Sequence, residues 1–133
     1  QRHSIVPETF DCVHAGKPSD FENSFSPVCL GPRASGSRVT TLPALLSGAA
    51  DRSVLVKMDI EMAEWEVLPS LGGSDFVQIL ALHVEYHLTW SPWCPSTLDM
   101  FKFQKLLERI NQHFAVVDSA VSFHLTNEPC RIA

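Results

Sequence analysis

Residues 54–60, VLVKMDI, are apolar at most positions, a pattern that marks a strand covered on both faces. The next stretch, residues 61–71, changes period. Met62, Trp65 and Leu68 fall on one helical stripe, and Gly72-Gly73 closes it. Residues 77–88 return to an apolar, strand-like run. Strand, helix and strand in that order predict a βαβ unit with its two strands parallel. Upstream, Thr41-Leu42-Pro43 before ALLSGA reads as an N-cap and a proline in the first turn of a short helix ending near Gly48. Downstream, Leu98, Phe101, Leu106, Leu107 and Ile110 sit at helical spacing over residues 97–113, and FAVVDSAVSFHL predicts one or two more strands.

Residues 1–38 follow a different pattern. Gly16, Pro18, Pro27, Gly31, Pro32 and Gly36 break them into loop, apart from a strand end at residues 9–12 and a short strand at residues 26–30. The expectation is one domain over residues 1–133, loop-rich over 1–38 with its core in 39–133. Its class is α/β: a partial Rossmann-like, doubly wound, mostly parallel sheet flanked by helices.

Composition narrows the function classes. With 133 residues, 45% hydrophobic and 19% charged, the chain can bury a core. A net charge of -5, with Lys and Arg scattered, excludes nonspecific nucleic-acid binding and favours a small ligand. No apolar run reaches the roughly 18 residues of a membrane span, so no membrane segment is expected in this chain. Cys12, Cys29, Cys94 and Cys130 contain no CxxC pair, which gives neither a zinc knuckle nor a dense disulfide framework. The chain starts at Gln1 and stops at CRIA, which reads like the start of a strand, so both ends are expected to be cut.

The candidate chemistry gathers where the two central strands end. Ligands of open parallel sheets bind beyond the carboxyl ends of the strands, where Asp59 and Glu61 fall. Alternation puts Lys57, Asp59 and Glu61 on one face, so Lys57 is placed to neutralise Asp59. Glu64 and Glu66 are read as first-turn acids that complement the helix dipole. The second strand ends in ALHVEYH, with His83, Glu85 and His87 alternating on one face. Same-face neighbours on a strand stand about 7 Å apart, too far for those three to converge on one ion, and no metal ligand is assigned to them. A divalent metal would instead need Asp59 and Glu85, from adjacent strands, together with His87. No GxSxG elbow is present, and no cysteine has a neighbour that would activate it.

The segment VLVKMDIEMAEWEVL resembles the K-[I/M]-D-[I/V/C]-E-G-x-E-x-x-[V/A]-L segment of FkbM-type methyltransferase-like proteins, through Lys57, Asp59, Glu61, Glu64 and Leu68. TTLPALL is similar to the short helix before that strand, and ILALHVEYH to the following strand with its Glu-x-His end. FKFQKLLERINQHFAVVDS is similar to the late helix and strand, and NEPCRIA to the approach to the last strand. The resemblance covers most of residues 39–133 and implies a class I enzyme using S-adenosylmethionine, with O-methyl transfer to a small-molecule or glycan acceptor. It implies Asp11 at the cofactor ribose, Asp59 between cofactor and acceptor, Glu61 and His87 on the acceptor, and Asp59, Glu85 or His87 as the base. Two departures stand out. Met62 occupies the usual glycine position, and the glycine-rich loop after the first strand has no counterpart, so the chain corresponds to the carboxyl-terminal part of such an enzyme. The alternative implied by those departures is a noncatalytic, degenerate methyltransferase fold kept for protein contacts.

Overall fold

The computed structural model describes residues 6–11, 24–87 and 97–120. Segment 121–133, with NEPCRIA, and Cys12 and Cys94 lie outside them. The chain is a mixed α/β structure with strands paired in parallel. β1 (Glu8–Phe10) pairs with β2 (Ser24–Ser26), and β3 (Cys29–Leu30) pairs with β4 (Val39–Thr40). The short strand expected at residues 26–30 is thus divided at Pro27, between the end of β2 and the start of β3. A proline has no N–H to give a ladder, which suits it to the break between two strands.

Thr41 caps α1 (Leu42–Leu46): its hydroxyl accepts the Ala44 N–H at 3.2 Å, Pro43 occupies the first turn, and Gly48 turns the chain away at φ +85°. The longest ladder follows. β5 (Val54–Met58) pairs in parallel with β6 (Ile79–Val84), and α2 (Glu64–Ser70) and α3 (Gly73–Gln78) form the crossover. This is the expected βαβ unit, with two corrections. β5 stops at Met58, because Glu61 and Met62 turn the chain. The second strand starts at Ile79 rather than residue 77, because the Asp75 carboxylate accepts the Gly72 N–H at 2.6 Å and starts a second helix there.

The core is one cluster: Leu42 and Leu46 from α1, Met58 from β5, Val67, Leu68 and Leu71 around α2, Phe76 and Ile79, and Leu106 and Ile110 from α4 (Thr97–Ile110). It lies on one side of the β5–β6 ladder. On the other, Leu55, Lys57, Leu80, Ala81 and His83 are exposed, so the described residues cover these strands on one face. α4 is fastened over the α2–α3 corner by Arg109, whose guanidinium donates to the Pro69 carbonyl at 2.9 Å and to that of Leu71, and lies over the Phe76 ring. Residues 114–120, expected as strand, have no regular secondary structure.

Candidate functional site

β5 and β6 end side by side. Met58 is in register with Val84, and the Glu85 N–H donates to the Met58 carbonyl at 2.9 Å. Beyond that bond both segments leave the ladder at its carboxyl end. Glu61 and Met62 both take left-handed backbone angles, φ +50° and +84°, which turn the chain sharply into α2. For residues with a Cβ this conformation costs about 1–2 kcal/mol each.

The turn delivers the start of α2 onto residue 87. Glu64 Oε1 accepts the His87 backbone N–H at 2.6 Å and lies 2.9 Å from the ring Nδ1. The next residue, Trp65, donates its indole N–H to the His87 carbonyl at 2.7 Å. Trp65 also packs against Tyr86 and Phe103, with ring centroids 5.5 and 5.3 Å away, and Phe103 meets the Tyr86 ring edge-on. His87 is therefore fixed through its N–H, its carbonyl and its ring, although it lies outside any strand.

The other ring nitrogen faces two acids. His87 Nε2 lies 3.5 Å from Glu61 Oε2 and 3.7 Å from Asp59 Oδ1, and Lys57 Nζ is 3.7 Å from the second Asp59 oxygen. Burial by itself would lower the pKa of the imidazole. The hydrogen bond to Glu64, together with the negative charges of Glu64, Glu61 and Asp59, outweighs that and holds the pKa above its ordinary value.

Asp59, Glu61 and His87 are thus brought together, the first two from the turn that follows β5 and the third from the segment just after β6. Glu85 is exposed just beyond β6 and is not part of the group whose ligand atoms converge, and His83 is exposed on β6 opposite Lys57. Asp11 follows β1 in a separate ladder, where its N–H donates to the Ser26 carbonyl at 3.3 Å. Glu66 is an exposed first-turn acid, as expected.

Glu64 stands in the first turn of α2, as expected, but has a further role. It is fully buried, and its Oε2 has no hydrogen-bond partner among the described residues. The signal for it was a spacing: Glu64, Val67, Leu68 and Leu71 fall at i, i+3, i+4 and i+7, and all four are buried. An acid leading an inward stripe needs a partner inside, and that partner is His87. No protein-family model matches the chain, and no curated protein or solved structure shows a significant match to it.

Proposed function

We propose that the chain is a Rossmann-like domain of methyltransferase type that acts on a hydroxyl of a small molecule or glycan, with Asp59, Glu61 and His87 on the acceptor side. The observation that carries this reading is the meeting of the K-M-D-I-E and E-x-H segments at the carboxyl ends of two parallel strands. That is where an α/β sheet keeps its ligands. When bound, S-adenosylmethionine supplies an electrophilic methyl group, and Asp11 is the acid that would meet its ribose.

The chain's own residues have two tasks, to seat the acceptor and to take its proton. With Glu64 accepting from Nδ1, the neutral ring would carry its hydrogen there and leave the Nε2 lone pair toward Asp59 and Glu61. A hydroxyl between Asp59 and Glu61 would give its proton to Nε2, and the imidazolium formed would be stabilised by Glu64 and its acidic neighbours. Asp59 and Glu61 would accept hydrogen bonds from further hydroxyls of a polyol acceptor.

Calorimetry with S-adenosylhomocysteine on the chain tests this. Saturable binding is the expected result. Absence of binding rejects it and favours the second reading, a noncatalytic interaction module. One observation supports that reading: at Met62 a bulky side chain stands on the left-handed turn where the resembling segment has glycine.

A further inference from the structure

We propose that Asp59, Glu61 and His87 form a binding site for a divalent transition-metal ion of the zinc type, with Glu64 as the buried residue that orients the histidine. The inference does not rest on methyl transfer, and with an ion bound Nε2 would be a ligand and no longer a base.

The first argument is spacing. One ligand atom from each of the three residues lies within 4.8 Å of the others, and Nε2 stands 3.5 and 3.7 Å from the two carboxylate oxygens. Those gaps are too long for hydrogen bonds, which run to about 3.2 Å. They match the edge of a coordination tetrahedron: ligands about 2.1 Å from a zinc ion stand about 3.4 Å apart.

The second argument is the hydrogen bond on the far side of the ring. A histidine that ligates through Nε2 donates its Nδ1–H to a carboxylate or carbonyl, which fixes both tautomer and ring orientation. Glu64 Oε1 occupies that position at 2.9 Å and also holds the His87 backbone. Glu64 is fully buried and its second oxygen is unpartnered among the described residues, so the protein keeps a costly group to hold this ring.

Charge is the third argument. Among the described residues, the carboxylates of Asp59, Glu61 and Glu64 surround the imidazole and Lys57 is the cation paired with them, a setting that attracts a further cation. The imidazole selects a zinc-type ion over magnesium or calcium, which prefer all-oxygen shells. Three protein ligands, two of them on solvent-exposed residues, leave a fourth position for water or a substrate oxygen, the arrangement of a catalytic rather than a closed structural site.

The test uses the full chain, stripped of metal and titrated with cobalt(II), whose visible absorption reports coordination geometry, and then with competing zinc(II). Asp59→Asn and Glu61→Gln alter partly or fully exposed side chains, and circular dichroism checks that both variants fold. A tetrahedral cobalt spectrum displaced by zinc, with affinity lowered at least about tenfold in each folded variant, is expected. No tetrahedral spectrum overturns the proposal. So does a spectrum retained with unchanged affinity in both variants, because other histidines or cysteines would then be the ligands. If either variant fails to fold, Glu61→Ala and Asp59→Ser replace it, with the same two outcomes deciding.

Discussion

A single carboxylate oxygen of Glu64 holds both the backbone N–H and the ring nitrogen of His87, at 2.6 and 2.9 Å. The two residues are joined by no shared element: one opens α2 and the other follows β6. Their bond ties the crossover helix to the end of the second strand and aims Nε2 at the acids. Deleting it leaves a part-buried N–H without its acceptor. Glu64→Ala should therefore lower stability by about 2–4 kcal/mol, since buried hydrogen bonds to charged groups are costly to break. In Glu64→Gln an amide oxygen can still accept both contacts, so the loss should be within about 1 kcal/mol. Urea unfolding of both variants checks the ranking; equal losses would show that the hydrogen bonds are not what Glu64 contributes.

Met62 sits at φ +84° after Glu61 at +50°, so two consecutive residues with side chains hold a conformation that favours glycine. Relieving one should register in stability. Met62→Gly removes a left-handed penalty of about 1–2 kcal/mol and adds back part of it as backbone entropy. Met62→Ala loses the same side-chain packing and keeps the strain. The glycine variant should therefore be the more stable of the two by about 1 kcal/mol, the reverse of their order in a helix. Thermal unfolding of the pair reads this directly, and an alanine variant equal to or above the glycine variant would contradict it.

The βαβ unit was legible because its signals are local: an apolar run, a change of period, and glycines between. The capped α1 was legible for the same reason. What the sequence hid was set by contacts between distant residues. Val77 and Gln78 look like strand, yet Asp75 captures the Gly72 N–H and makes them the end of α3. Asp59, Glu61 and His87 were identifiable one strand at a time, from their place at strand ends, and so was the Lys57 pairing with Asp59. Glu64 was not, because an acid in a first helical turn is ordinarily solvated. Only its partner, 23 residues away, explains its burial.

Arg109 ties α4 to the turn between α2 and α3 through the carbonyls of Pro69 and Leu71. Those carbonyls end a helix and have no onward intrahelical partner, so a cation there satisfies both hydrogen bonding and the helix dipole. Arg109→Met keeps most of the apolar stem over Phe76 and removes the donors. The expected cost is about 1–3 kcal/mol, by the worth of hydrogen bonds to a charged group. Amide exchange should show the loss first at Ser70 and Leu71 of the corner. A variant as stable as the parent would mean that Leu106 and Ile110 alone hold α4 in place.

Tyr86 is the chain's single tyrosine, so its ionisation can be followed by difference absorbance without ambiguity. Burial raises its pKa first, and the negative charge of Glu64 adds to that, pushing the phenol from 10.0 up to about 12. The folded protein therefore holds the phenolic proton more tightly than the unfolded chain. The sign follows from linkage: the favourable contribution is complete below pH 10 and is lost as the pH rises from 10 toward about 12. Folded protein should show no phenolate signal at pH 10, whereas chain unfolded in urea at the same pH should be about half ionised. Glu64→Gln removes the charge and leaves the burial, so its Tyr86 should titrate below that of the parent and still above 10.0. A parent whose phenolate appears at pH 10 would place Tyr86 in water, away from Trp65 and Phe103. A Glu64→Gln variant titrating with the parent would remove Glu64 from its surroundings.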